Sequence, residues 1–414
     1  MGTDARKRLV ILGSGFAAIS LLKRINLKEY DVTVVSPRNH FLFTPLLPST
    51  TIGTIEFRSI VEPIRKVRDG DRFVQASCTA IDPDGRTVTC RATEKDSVFT
   101  LPYDMLLISV GAWNNTFGVP GVREHAFFLK ELSDARSIRE RLISCLEAAD
   151  VPGTSPEERA RLLHFAVVGG GPTGVEFAAE LHDLIVEDLE NHYEGLEGEV
   201  RVTLFEAGPS ILNAFDENLR EYTVEHFGRN DIEVRLETQV SAVRPDGLQL
   251  RNGEFVPAGV IVWSTGNGPT GLIGSLPFSK DRSGRILTNE YLQIPAHPEI
   301  YAAGDCATPA GAGLPQTAQV AMQQGKYLAR ELNRMARGRA VKPFHFNNLG
   351  MLAYVGEHRA LADIPRANVH GHGLFTYFFW RSAYLTRLVS LKNKALVLSN
   401  WIITALFGRD LSKF

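Results

Sequence analysis

A phosphate-cradling turn occurs twice in this chain, as Val10-Ile11-Leu12-Gly13-Ser14-Gly15-Phe16-Ala17-Ala18 and as Ala166-Val167-Val168-Gly169-Gly170-Gly171-Pro172-Thr173-Gly174. Each copy has an apolar run before its glycines and a helix-forming run after them, which gives the order strand, tight turn, helix. In that order, backbone N–H groups and the positive end of a helix converge on a pyrophosphate. Two such turns predict two bound dinucleotides, with electrons passing between them.

A glycine spacing alone is weak in a chain with 36 glycines, so the flanking residues carry the argument. Arg8-Leu9-Val10-Ile11-Leu12 is a buried-strand run, and Ile19, Leu21, Leu22 and Ile25 recur on one face of the helix that follows. The next strand, Asp31-Val32-Thr33-Val34-Val35, ends at Ser36, where a ribose-binding acid is usual. The second copy keeps the acid: Val200-Arg201-Val202-Thr203-Leu204-Phe205 ends in Glu206, a carboxylate able to accept both ribose hydroxyls. That charge repels a 2′-phosphate and predicts NADH rather than NADPH. The motif-to-acid distance exceeds the usual ~20 residues, and the run Leu181 to Leu189 reads as an extension of the helix that accounts for it.

Charge and cysteine placement exclude several classes. With Lys+Arg 45 against Asp+Glu 47, no global field attracts nucleic acid. Cys78, Cys90, Cys145 and Cys306 form no C-x-x-C or C-x-x-x-x-C pair, which argues against disulfide reduction and for small buried hydrophobes in a reducing compartment. The 11 histidines form no metal-ligand spacing, and His370 with His372 reads as an exposed, Gly-flanked turn. The absence of an apolar leader predicts a cytoplasmic protein, or a mitochondrial one if a leader was removed.

Matching strand endings divide the chain. Tyr103 to Gly111 and Val260 to Gly266 are apolar strands closed by glycine, and Glu299 to Asp305 is a third that ends in Gly304-Asp305. The predicted fold class is α/β: two Rossmann-like dinucleotide-binding domains, one inserted in the other, plus a C-terminal amphipathic helical region. The expected division is a discontinuous first domain over 1–111 and 267–335, a second over 112–266, and a tail over 336–414. Ala148 to Pro156 reads as a surface connection.

The tail is aromatic and basic. Phe375, Tyr377, Phe378, Phe379, Trp380, Tyr384, Leu385, Leu388 and Val389 crowd one stretch, and Trp401, Ile402, Ile403, Leu406 and Phe407 another, with Arg381, Arg387, Lys392, Lys394 and Arg409 interleaved. Neither run approaches the ~20 residues of a bilayer span. Residues 374–414 are expected to lie on a lipid bilayer surface, held by apolar burial and anionic headgroups; packing on the body or a homodimer contact is the alternative.

The paired glycine motifs with Gly304-Asp305 resemble the two-dinucleotide-binding flavoproteins of glutathione-reductase type. More narrowly, Ser36-Pro37-Arg38-Asn39-His40-Phe41-Leu42-Phe43-Thr44-Pro45-Leu46-Leu47-Pro48, Gly169 to Glu176, and Ala318-Gln319-Val320-Ala321-Met322-Gln323-Gln324-Gly325 resemble the type II, alternative NADH:quinone oxidoreductases. The resemblance implies non-covalent FAD held by Gly13, Gly15, Phe16, Ala17, Ser36, Arg38, Gly111, Gly304, Asp305 and Ala318, with Thr44 and Pro45 beside the flavin ring or forming a simple turn. It implies NADH on Gly169, Gly171, Pro172, Thr173, Gly174, Glu206 and Gly266. Glu176 is expected in the first turn of its helix, either as an acid favoured by the dipole or as a proton relay near the nicotinamide. Gln319 and Gln323, at i and i+4, fall on one helix face; they would bond a quinone carbonyl or simply face solvent, with Gln319 the stronger candidate.

The implied activity is hydride transfer from NADH to flavin, then two-electron reduction of a membrane quinone, without proton pumping. Three rivals differ in what they require. A ferredoxin or rubredoxin reductase would share both motifs but needs no such tail, a sulfide:quinone oxidoreductase needs reactive cysteines, and an NADH-responsive signalling flavoprotein would turn over only as a switch.

Overall fold

The computed structural model describes residues 6–189, 192–193, 195–196 and 198–413. The last residue of the tail, Phe414, falls outside these. The chain divides into two compact units. One comprises Met1–Leu42, Glu62–Trp113 and Asn267–Asn347, and the other comprises Phe43–Val61, Asn114–Gly266 and Asn348–Phe414.

The first unit is built on an eight-stranded sheet. Its order is Gln293–Ile294, His297–Ala302, Met105–Ile108, Lys7–Leu12, Tyr30–Ser36, Arg72–Asp82, Thr87–Ala92 and Val98–Pro102. The strands from His297–Ala302 through Arg72–Asp82 pair in parallel, and the central ones, Lys7–Leu12, Tyr30–Ser36 and Met105–Ile108, are buried along most of their length, as a covered parallel sheet requires. Lys7–Leu12 is the strand at which the order reverses: the chain goes first to Tyr30–Ser36 on one side and later to Met105–Ile108 on the other. The crevice at such a reversal, off the carboxyl ends of the strands, is where open α/β sheets bind ligands. Gly13 to Gly15 stand there.

The second unit repeats this logic. Its all-parallel sheet runs Phe127–Phe128, Val260–Trp263, His164–Val168, Arg201–Phe205, Ile232–Arg235. The reversal falls at His164–Val168, directly before Gly169. Arg141 and Cys145 of the long Leu132–Ala149 helix both bond the carbonyl of Gly259, just ahead of Val260–Trp263.

The C-terminal part differs from the helical region expected over 336–414. A three-stranded antiparallel sheet, Met351–Gly356, Arg359–Ile364 and Val369–Gly373, precedes the two helices Leu374–Arg387 and Leu391–Phe407, and all of it clusters with the second unit. His370 and His372 therefore lie on a strand and not in a turn, although both are exposed as expected. The strand escapes sequence reading because Val-His-Gly-His-Gly has neither apolar alternation nor β-branched enrichment.

Both helices of the tail are two-sided. Tyr377, Trp380, Tyr384, Val397 and Trp401 are buried, whereas Phe375 is 91% exposed, Leu391 84% and Phe407 81%. Asn393 donates to the carbonyls of Ser59 and Val61, and Ser59 Oγ meets Asn400 Oδ1 at 2.6 Å. One face thus packs on the second unit and the other is left to solvent. No helix of the described residues is long and apolar enough to cross a membrane.

Candidate functional site

Each glycine turn is shaped by two different constraints. Gly13 has φ +104°, and a Cβ there would come 2.3 Å from the Ser109 carbonyl oxygen. Gly169 has φ +114°, and its Cβ would come 3.0 Å from Ser264. These first glycines exist for the backbone bend. The later ones do not: Gly15 and Gly171 are extended residues at the N-caps of Phe16–Leu22 and Pro172–Leu184, and a Cβ on either would meet nothing within 4 Å. No side chain caps either helix end. A helix start left uncapped, with open space before the glycine, fits an anionic pyrophosphate approaching the backbone. Phe16 and Ala17 open the first helix, and Pro172 and Thr173 open the second. Gly174 serves close packing, since its Cβ would fall 2.0 Å from the Gly169 carbonyl oxygen.

Behind the first turn, Ser36 is buried at the end of its strand, where its Oγ lies 3.0 Å from Ser14 Oγ and accepts from the Arg38 backbone N–H at 3.2 Å. Arg38 Nε donates to the His40 carbonyl at 3.0 Å. Behind the second turn, Glu206 occupies the equivalent place. Its Oε2 accepts the Gly170 N–H and its Oε1 the Gly208 N–H, each at 2.7 Å. The carboxylate is thereby fixed beside the glycine turn across 36 positions of sequence. Residues Ile185–Leu189 continue the helix as a π-helical turn, which accounts for part of that separation.

Gly304-Asp305 closes the His297–Ala302 strand in a short 3₁₀ turn, with Gly304 at φ +77°. Gly304 N–H donates to Oε1 of Gln324 at 2.7 Å, and Gln324 is 1% exposed. Sequence reasoning does not find this anchor, because a glutamine next to the candidate Gln323 and on the same helix as Gln319 carries no distinguishing mark. Ala318 and Gln319 open the Ala318–Ala336 helix, whose N-cap is Thr317. Gln323 is bound into the fold at both ends of its amide. Its Nε2 donates to the Asn347 carbonyl at 2.8 Å and its Oε1 accepts the Asn347 N–H at 3.0 Å. Gly325 sits where a Cβ would come 2.1 Å from the Ala17 carbonyl, which lets this helix press against Phe16–Leu22.

Gly111 is left-handed at φ +71° with nothing within 4 Å of its Cβ. Gly266 accepts the Asn115 N–H at 3.1 Å through its carbonyl. Thr44 and Pro45 form the start of a 3₁₀ helix, Thr44–Leu46, in the second unit.

Glu176 corrects the expectation for its helix. It is the fifth residue of Pro172–Leu184, beyond the first turn, and is 6% exposed. The dipole reading therefore gives way to a buried carboxyl. Its Oε1 accepts the Tyr354 backbone N–H at 3.1 Å. Burial first, opposed by that hydrogen bond and reinforced by nearby Glu180, raises its pKa to about 8. The Trp380 indole also acts on it, although Nε1 reaches no acceptor at hydrogen-bond geometry.

The same helix face carries further acids. Glu180 bonds Ser49 Oγ and, at 3.2 Å, Thr54 Oγ1; burial raises its pKa to about 7 against the pull of Arg409. Asp183 accepts the Tyr354 phenol at 2.5 Å and the Glu357 N–H at 2.9 Å. Asp188 pairs with Arg409 at 2.6 Å, with both side chains below 5% exposed. A periodic stripe of acids reads in the sequence as a solvated helix face, so nothing local showed that the C-terminal sheet and helices would cover it.

Among the cysteines, Cys90, Cys145 and Cys306 are buried, but Cys78 is only partly so and stands opposite Cys90 on the paired strands Arg72–Asp82 and Thr87–Ala92. All four are free thiols, and no group of three or more metal-ligating side chains occurs among the described residues.

Residues 7–325 match the family model of the pyridine nucleotide-disulphide oxidoreductases, and residues 348–410 match the NDH2 C-terminal domain. A probable NADH dehydrogenase of Dictyostelium discoideum is 44% identical, covering 99% of this chain and 91% of its own. An internal alternative NAD(P)H-ubiquinone oxidoreductase A1, mitochondrial, of Solanum tuberosum is 42% identical over 99% of this chain and 89% of its own. The solved structure of NDH2 from Plasmodium falciparum in complex with NADH superposes with a TM-score of 0.92 at 28% identity, covering 99% of this chain and 100% of that one.

Proposed function

The chain belongs to the type II NADH:quinone oxidoreductases, within the pyridine nucleotide-disulphide oxidoreductases, and we propose how its residues divide the work of that enzyme. It is an FAD-dependent oxidoreductase that carries electrons from NADH to a quinone. Bound FAD supplies the two-electron chemistry, taking hydride from NADH and giving electrons to quinone.

Most of the residues assigned to FAD are in the first unit: Gly13, Gly15, Phe16 and Ala17 for the pyrophosphate, Ser36 and Arg38 for the adenosine half, and Gly111, Gly304, Asp305 and Ala318 around the remainder. Asp305 suits a ribityl hydroxyl, since a carboxylate beside a phosphate would be repelled. Thr44 and Pro45 are assigned to the flavin ring. NADH is assigned to Gly169, Gly171, Pro172, Thr173, Gly174 and Gly266, with Glu206 on its ribose. The observation that carries this division is the pair of uncapped helix starts with open space before Gly15 and Gly171.

Gln319 offers an uncharged donor to a quinone carbonyl. Glu176, with a carboxyl raised to about 8, holds a proton at neutral pH and can release it, which is the property a relay needs. The exposed faces of Leu374–Arg387 and Leu391–Phe407 are assigned to the cytoplasmic surface of the inner (cell) membrane, or to the mitochondrial inner membrane if a leader was removed, where an isoprenoid quinone is dissolved. A homodimer contact is the second reading of the same faces, because Phe375, Leu406 and Phe407 are apolar and 70–91% exposed.

An anaerobic spectrum of the purified protein tests the core of this. A yellow protein bleached by NADH and restored by a short-chain quinone supports it; one that NADH leaves yellow refutes it. Sedimentation with lipid vesicles, comparing wild type with Phe375→Ser plus Phe407→Ser, tests the membrane surface. Deleting everything after Gly373 does not, since it would also remove Trp380 and Tyr384 from beside Glu176.

A further inference from the structure

Arg381 stands at the seam of the two C-terminal helices, clasped between rings from both. Its guanidinium carbon lies 4.5 Å from the Tyr377 ring centroid on Leu374–Arg387 and 4.6 Å from that of Trp401 on Leu391–Phe407. No carboxylate among the described residues pairs with it, and its Nε is buried without a hydrogen-bond partner. The acids that act on Tyr377, namely Glu180, Asp183 and Glu187, are held elsewhere, by Ser49 and Thr54, by Tyr354, and by Arg409. Residues 374–407 contain Arg381, Arg387, Lys392 and Lys394 and no acid at all.

The surroundings make this cation unusual. Phe378, one turn before it, is 57% exposed, and Leu398 and Ile402, either side of Trp401, are 47% and 53% exposed. Both rings lie close against the guanidinium and its Nε is buried, so the terminal Nη donors are the groups left to a ligand. Stacking holds the fork in one orientation, and the fork matches the oxygens of a phosphate. A fixed positive charge amid apolar side chains that enter a lipid surface is costly unless an anion comes with it.

We propose that Arg381, clasped by Tyr377 and Trp401, is the seat of a phospholipid headgroup phosphate, so that the protein takes one lipid at a defined position and not only a diffuse film of them. This rests on the membrane-surface reading. It differs from general attraction of basic residues to anionic lipid, which any of Arg387, Lys392 or Lys394 can supply and which salt screens.

The test is a vesicle-binding titration of the FAD-loaded full chain, with phosphatidylcholine vesicles and with the same vesicles containing phosphatidylglycerol, at low salt and at about 0.5 M salt, where the Debye length falls to a few ångströms. Arg381→Met should weaken binding to both vesicle types by about tenfold and keep that deficit in high salt. Arg381→Lys, a point charge without the planar fork, should not restore it. Arg387→Met should cost about fivefold on phosphatidylglycerol at low salt only. NADH bleaching of the flavin and the melting temperature report that each variant is folded. Equal binding by Arg381→Met and wild type, or a loss that matches Arg387→Met in size and salt sensitivity, overturns the proposal and leaves the membrane reading intact. Displacement of the protein from vesicles by millimolar inorganic phosphate would make the site one for free anions and also overturn it. Wild type that binds neither vesicle overturns the membrane reading, and this inference with it.

Discussion

The backbone N–H of Tyr354 donates to Oε1 of Glu176 across 3.1 Å, and the phenol of the same tyrosine donates to Asp183, two turns further along the Glu176 helix. One residue of the C-terminal sheet thus binds the acidic face of the helix that starts at the second glycine turn. The carboxyl it touches is the one whose proton is released only at about pH 8.

Replacing Glu176 by Gln keeps the acceptor for Tyr354 and removes the proton. NADH should still bleach the flavin, while steady-state quinone reduction should fall by about 10²-fold, the scale of one acid–base group. The alkaline limb of the pH–rate profile near pH 8 should vanish with it. Stopped-flow bleaching set beside quinone turnover separates the two half-reactions.

The same substitution should change the pH dependence of stability. In the unfolded chain this carboxyl ionises in the ordinary glutamate range, while in the folded protein it keeps its proton to about pH 8. Between those values the unfolded state binds fewer protons, so stability falls as pH rises, by up to ~1.4 kcal/mol per pH unit for one group. Glu176→Gln should flatten that slope and gain stability at pH 8 relative to wild type. Urea midpoints at pH 5 and pH 8 would show it.

Gly15→Ala and Gly13→Ala should fail differently. The Gly15 Cβ enters open space, so that variant should fold and lose FAD affinity, and be isolated pale with a near-normal melting curve. Gly13→Ala forces a Cβ against the Ser109 carbonyl at φ +104° and should be unstable whether or not FAD is added. Flavin content against melting temperature distinguishes the two.

Glu206→Gln keeps an amide oxygen for the Gly170 or Gly208 N–H and removes the negative charge that opposes a 2′-phosphate. The ratio of kcat/KM for NADPH over NADH should rise by about tenfold, corresponding to ~1.4 kcal/mol of relieved repulsion. Kinetics with both nucleotides at fixed quinone provide the readout.

Arg409→Met should leave Asp188 buried and unpaired and cost ~3–5 kcal/mol, the usual penalty for breaking a buried pair. Asp188→Asn in the same chain should recover part of the loss. Urea midpoints for the single and double variants decide it, and an additive result would show that the two residues are not coupled.

Both glycine turns, the strands and helices that flank them, the acid after the second unit's strand and the two-sided tail were legible because each rests on local periodicity or a turn that only glycine can make. Gln324, Tyr354, Glu180 and Arg409 were not legible. Each acquires its role from a partner between 20 and more than 220 positions away, and nothing in the local pattern of a helix records which distant segment will cover it. Likewise the i, i+4 spacing of Gln323 gave no sign that its amide bonds the Asn347 backbone.

What the chain's own order of residues determined was the chemistry it can host: two glycine turns each followed by a helix, an acid after the second unit's strand, and a basic, aromatic end. Tertiary structure alone decided which of the acids near the second turn keeps its proton. Burial by the Met351–Gly373 sheet and the helices after it is what lifts Glu176 out of the ordinary carboxyl range. Desolvation is a property of everything packed around a group, and so it exists only once the chain has closed over it.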